Sequence, residues 1–430
     1  MTSEVIRNYA TAALEQLPTM DKLRALIKDA PAWKLGLGAG ISYLALVRLL
    51  RYRRRDRIAK KYPYKTRADF SKMTADDAQA ILRSVFECEF PFIGEKSLQF
   101  ALFRTYGIPT ISKLLVKTKQ LSTKELAPRR LTDTAVLIAE FLGSPPSSER
   151  ANTAIARMNY LHSLYQASGQ ISNEDMLYTL SLFAVEPVRW VNTFEWRELT
   201  PLEVCATGTF WKSVGDAMGI SYEELPSYKR GWKDGIEWFE EVKVWALMYE
   251  QKVMLPTKDN HQTAVETTKM LLYDVPKPLH GIGENVVAAL MDDRLREAMM
   301  YKMPPSWLQS CIHNALHIRK YIIRYLFLPR PQAMKMRVTS EKPNKYGKYN
   351  VMYYEVEPWY YPDNFTNRWL SLQTWVKWMR GLPIPGPQYK PEGYDVPNVG
   401  PKHLEGKGTA EMAQTKERLM ASGRGGCPFA

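Results

Sequence analysis

The sequence predicts an all-α protein: one large helical domain behind an N-terminal membrane anchor, with a small β-hairpin toward the C-terminus. Two observations carry most of that expectation. From Thr74 to about Leu328, apolar residues recur at helical spacing, broken at Pro91, Pro109, Pro128, Pro145-Pro146, Pro187, Pro201, Pro256 and Pro276. Ahead of that stretch, residues 35–47 form a run of 13 without a charge. No unit repeats along the helical stretch, which excludes a solenoid.

Taken in order, residues 1–30 hold one or two short amphipathic helices around Pro18. The anchor follows at 31–50. Lys34 and Arg48 flank its uncharged run and can snorkel, giving a usable length of roughly 17 residues, the short limit for a span. A single span and an interfacial helix both remain open. About thirty polar and amphipathic residues precede the run and no clear small-residue cleavage site follows, which argues against a cleaved signal peptide. Gly36, Gly38 and Gly40 superficially suggest a dinucleotide fingerprint, but no strand precedes them; small residues spaced for close helix approach account for them better.

A basic stalk, 51–73, comes next. The chain's net charge of +14 concentrates around it, with Asp56 and Asp69 the only acids between Arg48 and Lys72. No nucleic-acid-binding signature accompanies the run, so nucleic acid is not an expected partner. Beside an apolar segment the same charge places the C-terminal bulk in the cytosol and attracts anionic headgroups. Residues 74–330 form the helical domain, of about ten helices. Within 331–430, segments 336–338 and 349–356 alternate around Pro343 and Gly347, the pattern of a hairpin. The last forty residues read as a strap and a loose tail, with one short helix near 411–421. Four widely spaced cysteines, Cys88, Cys205, Cys311 and Cys427, fit a reducing compartment.

Candidate functional residues emerge from helical angles. With a helix starting near Ser148 and advancing about 100° per residue, Ala151, Ile155, Met158, His162 and Tyr165 share one arc. Asn152, Arg157, Asn159 and Ser163 fall outside it. His162 therefore points inward, either as a core histidine satisfied by a carbonyl or carboxylate or as a metal ligand. Arg130 and Thr134 lie one turn apart on one face, where they could orient an oxyanion or simply be solvated. Arg189 could pair with an anionic cofactor group, or with Glu186 or Glu195. His313 and His317 have ligand spacing, but no acid shares their polar face. Cys427 lies among glycines, where burial is hard to arrange. The tryptophans from Trp196 to Trp245 recur irregularly, as core residues do. Asn364-Phe365-Thr366 is a glycosylation sequon that cytosolic placement would leave bare.

Five long strings carry a resemblance: FALFRTYGIPTISKLL (100–115), APRRLTDTAVLIAEF (127–141), ERANTAIARMNYLHSLY (149–165), MLYTLSLFAVEPVRW (176–190) and GTFWKSVGDAMGI (208–220). Through them the chain resembles the MpaB-type fungal oxygenases of the endoplasmic reticulum, a branch of the family that includes the rubber oxygenases (latex-clearing proteins). The resemblance implies a rubber-oxygenase-like helical fold holding one haem b, with His162 as axial ligand and Arg130 and Thr134 on the distal side. It further implies dioxygen and a lipophilic prenylated small molecule as partners. A single-pass membrane protein of the endoplasmic reticulum, cleaving a C=C bond of a prenyl chain in secondary metabolism, is the leading expectation. Haem-dependent hydroxylation, epoxidation or peroxygenation, and a non-catalytic carrier of haem or prenyl lipid, are the alternatives. One position departs: rubber oxygenases carry a distal lysine able to approach the iron, and Asp133 stands nearest to it here. A lysine-capped resting state is therefore not implied.

Overall fold

The computed structural model describes residues 31–119 and 126–429. The helices expected around Pro18 lie outside the described residues. Two units make up the chain, one of residues 1–54 with 321–329, the other of residues 55–320 with 330–430.

In the first unit, α1 (Ala32–Arg51) is a helix of 20 residues, about 30 Å long and so enough to cross a bilayer core. Among the described residues, only the helical stretch Ala32–Lys61, which includes α2 (Arg53–Lys61), is long and apolar enough to span a membrane. Among the described residues, nothing outside the helix's own backbone comes within 4 Å of where a Cβ on Gly36, Gly38 or Gly40 would stand. The Tyr43 hydroxyl donates to the Leu326 carbonyl at 2.8 Å, and the Arg51 guanidinium donates to the carbonyls of Ile323 and Phe327.

The second unit runs through α3 (Ala75–Arg83), α4 (Pro91–Thr105), α5 (Pro109–Thr118), α6 (Ala127–Gly143), α7 (Glu149–Gln166), α8 (Asn173–Phe194) and α9 (Pro201–Ala217). It continues with α10 (Gly235–Val253), α11 (Lys258–Leu271), α12 (His280–Ala289), α13 (Asp293–Ala298) and α14 (Ser306–Leu326), whose last turn belongs to the first unit. After these come α15 (Leu372–Met379) and α16 (Thr409–Ala421). Local chemistry sets most of the starts. Thr74, Ser148, Ser172, Thr200 and Asp234 each accept a backbone N–H one turn on. Pro91, Pro109, Pro128 and Pro201 occupy first-turn positions, where no donor is missed.

Pro187 does not break a helix as expected; it lies inside the 22-residue α8. The proline removes the hydrogen bond to the Phe183 carbonyl, and the dense packing of α8 against α4, α9 and α10 holds the helix together regardless. α8 and α9 are buried nearly all round, which makes them the core of the unit. Their neighbour α10 approaches α9 so closely that a Cβ on Gly208 would meet the Gly235 carbonyl oxygen.

Two expectations for the C-terminal region need correction. The hairpin does not form as paired strands: Thr339 and Val351 make one isolated antiparallel bridge, flanked by Ser340 N–H to Asn350 O and Met352 N–H to Val338 O. Tyr349 pairs instead with Tyr394, far along the chain, so the second arm is shared between two partners. The tail is not loose either, since the Gly425 and Gly426 carbonyls accept the N–H groups of Asp76 and Ala75 at the start of α3.

The strap has a larger consequence. α16 packs on α7, and Arg157, expected outside, is wholly buried beneath it, donating to the carbonyls of Val399, Leu404 and Lys407. Asn152 is buried too, donating to the Pro146 and Ser148 carbonyls. The first half of α7, up to Arg157, is therefore enclosed from both sides.

Candidate functional site

α6 and α7 are antiparallel neighbours joined through Pro145-Pro146, which brings the start of α6 beside the end of α7. Arg130, Thr134 and His162 meet there. The Arg130 guanidinium donates to the Thr134 hydroxyl, which in turn donates to the Arg130 carbonyl at 2.8 Å. His162 is only partly buried as a residue, but its Nδ1 is sealed from solvent and has no hydrogen-bond partner among the described residues. Burial, reinforced by the Arg130 charge, pushes the imidazole down to about 4. The ring is therefore neutral at physiological pH, with a nitrogen that nothing among the described residues satisfies.

Asp133 faces elsewhere. It is buried, accepts from the Tyr360 hydroxyl at 2.8 Å, and has Arg129 Nε at 3.7 Å. Burial raises its carboxyl to about 6 against the pull of Tyr360 and Arg129. Arg189 is exposed and paired with Glu186 at 2.5 Å, one of the two protein pairings anticipated for it. His313 and His317 are exposed on α14, and the Cys427 thiol donates to the Ser71 carbonyl.

Below Thr134 opens a mostly apolar cavity of about 440 Å³, within the ordinary range for small-molecule sites. Its walls come from α3, α4, α6, α8, α9, the end of α11 and residues 336–356. Thr134, Ile138, Phe183 and Trp211 mark the inner side; Tyr106, also on the wall, feels the Arg130 charge. His162, Arg130 and Arg189 do not line it. Thr134 is thus the link between the Arg130–His162 corner and the cavity.

A pair of carboxylates in the cavity wall escaped sequence reasoning. Glu95 accepts from the Tyr353 hydroxyl at 2.7 Å, and Glu355 accepts from Lys96 at 2.5 Å and from Gln99 at 2.7 Å. Burial and the neighbouring Glu355 charge raise Glu95 to about 6. Glu95, Lys96 and Gln99 share a helix, but Glu355 arrives from 256 residues beyond Gln99, and no local pattern announces it.

Comparison with known proteins settles the family. The model for the ER-bound oxygenase mpaB/B'/rubber oxygenase catalytic domain matches residues 118–317, the stretch that carries Arg130, Thr134, His162 and Arg189. ER-bound oxygenase mpaB' of Penicillium brevicompactum is 46% identical over 418 residues, covering 96% of this chain and 98% of the relative. The chain belongs to this oxygenase family. ER-bound oxygenase mpaB of the same organism is 44% identical over 374 residues, covering 86% of this chain and 88% of that one. The mpaB of Penicillium roqueforti (strain FM164) is 50% identical over 279 residues, covering 65% of this chain and 94% of its own length. As a member of the family the chain is an enzyme that uses dioxygen and a substrate, and oxygenase chemistry calls for a cofactor.

Proposed function

We propose that this family member is a membrane-anchored, haem b-dependent oxygenase that cleaves a C=C bond in the prenyl chain of a lipophilic small molecule. His162 carries the proposal. A buried ring nitrogen without a partner costs a few kcal/mol, and a neutral imidazole is the form that ligates iron. The residues therefore fit the group. Among the described residues no three His, Cys, Asp or Glu side chains come together as a metal site, whereas a haem asks the protein for a single axial ligand.

The haem, when bound, would supply activation of dioxygen. His162 would hold it, with its neutrality maintained by burial and by Arg130. Arg130, steadied by Thr134, would place positive charge where negative charge develops on the reacting oxygen. Thr134 stands at the cavity wall, where it would direct that oxygen toward the substrate. The apolar walls would hold an isoprenoid chain and keep water out. Arg189 would serve a haem propionate by exchanging its Glu186 partner.

For location, the ER-bound naming of the relatives and the exposed apolar helix α1 support a single span in the endoplasmic reticulum membrane. The basic stalk after α1 supports a cytosolic catalytic domain. Oxygen uptake by the full-length protein tests the function. Haem-supplemented protein given a farnesylated aromatic should consume dioxygen and release carbonyl fragments. Binding of that compound without oxygen uptake would instead make the chain a carrier.

A further inference from the structure

Residues Leu372, Trp375, Val376 and Met379 repeat at the spacing that puts four apolar side chains on one helical stripe. In water such a stripe packs inward. α15 does the opposite. Its polar face is docked on the protein: Gln373 donates to the Tyr354 carbonyl at 2.6 Å, and Thr374 to the Asn367 carbonyl at 2.7 Å. The buried Lys377 donates to the Glu355 carbonyl at 2.6 Å and pairs with Asp274 at 3.0 Å. The apolar stripe faces out, with Leu372 79% and Met379 68% exposed. Phe365, Trp369, Leu370 and Trp378 extend the exposed surface.

The helix is well made despite facing the wrong way for water. Ser371 caps its start, and Gly381 ends it in the left-handed conformation (φ 66°), with Leu382 N–H returning to the Lys377 carbonyl. No acid occurs between Asn364 and Lys390, while Arg368, paired with Asp363 at 3.0 Å, and Arg380, which donates to the Asp274 carbonyl at 2.5 Å, flank the stripe. A second copy docked by two-fold symmetry would set one acid-free stripe against another and gain no ion pair within it. An anionic lipid surface complements the exposed Arg380, and tryptophans favour the headgroup level. The docking points Asp274, Tyr354 and Glu355 all line the cavity, so α15 packs against the outside of its wall.

We propose that α15 and the turn before it lie in the headgroup–acyl boundary of an anionic bilayer, and that the cavity draws its substrate from that lipid phase. The delivery half rests on the reading of the substrate as lipophilic; the membrane contact does not.

The test places the full-length protein in phosphatidylcholine vesicles containing phosphatidylserine, with a tracer phosphatidylcholine that carries a photoreactive group on its acyl chain. Mass spectrometry should find adducts within 365–379 as well as in the apolar run of α1. Leu372→Glu with Met379→Glu, both at exposed positions, should abolish the first set and leave the second. Adducts confined to α1 would overturn the contact, as would a self-associated species that the double variant dissociates while 365–379 takes up no lipid adduct. The same double variant should lower turnover of a bilayer-dissolved farnesylated aromatic about tenfold, leaving that of a short water-soluble analogue unchanged. Equal turnover of both compounds in the variant, with adducts lost, would overturn delivery. If the unaltered protein turned over neither compound, the oxygenase reading would fall, while the adduct map would still decide the membrane contact.

Discussion

Two arginine clusters sit in the same helical body and differ in how completely they are answered. Arg104 on α4 meets Glu250 on α10 through two hydrogen bonds of 2.7 Å, and Tyr178 on α8 adds a third at 2.7 Å to the same carboxylate. Asp292 takes another of its donors. Arg130 has a hydroxyl beside it and an imidazole in its field, and among the described residues it forms no ion pair. Charge in the first cluster clamps three core helices. In the second, a cation and a buried nitrogen are left for something else to satisfy, which is the mark of a binding site rather than of a structural one.

The largest effect should come from breaking the clamp. Glu250→Ala leaves Arg104 buried and short of its main partner and should cost about 3–5 kcal/mol in denaturant unfolding; a loss below about 1 kcal/mol would erase the contrast. Next comes pH. The folded pKa of His162, about 4, lies below its ordinary value, so the unfolded chain takes up a proton first as pH falls. Stability should therefore drop between about pH 6.5 and 4 and stay flat above. The contribution is about 2 kcal/mol, less than the full displacement implies because the residue is only partly buried. Asp133 and Glu95, both raised to about 6, act with the opposite sign over nearly the same window. The quantity to measure is thus the stability of the native protein minus that of His162→Ala at each pH. A difference that does not vary with pH would contradict the buried neutral imidazole.

Arg130→Gln should lower oxygen uptake about tenfold through transition-state charge while leaving the fold intact. Unchanged uptake would remove Arg130 from the chemistry. The smallest effect sharpens the comparison most. In cofactor-depleted protein at neutral pH, His162→Ala should shift stability by less than about 1 kcal/mol, because relief of the unpaired nitrogen offsets the packing lost with the ring. A loss as large as that of Glu250→Ala would make His162 a structural residue.

Much of this was legible in the chain. The caps at Thr74 and Ser148 and the first-turn prolines fixed where helices start, because capping is local chemistry. The pairing of Arg130 with Thr134 follows from helical spacing alone. Contacts made across long separations were not legible. Arg157 looked like a solvent-facing residue because its partners lie some 240 to 250 residues further on. Glu355 was invisible as a partner of the α4 carboxylate for the same reason. Pro187 misled because a proline's local cost is outweighed when three helices pack around it. The stripe on α15 could be read from sequence, but its outward orientation could not, since amphipathic spacing fixes a face without naming the solvent it meets.

The absorption spectrum of detergent-purified full-length protein, with pyridine haemochrome quantification, tests the central claim most directly. The account predicts about one haem b per chain, with a Soret band that His162→Ala loses or shifts. Colourless, iron-free protein that still oxygenates its substrate would contradict it, and so would an unaltered spectrum in the His162→Ala variant.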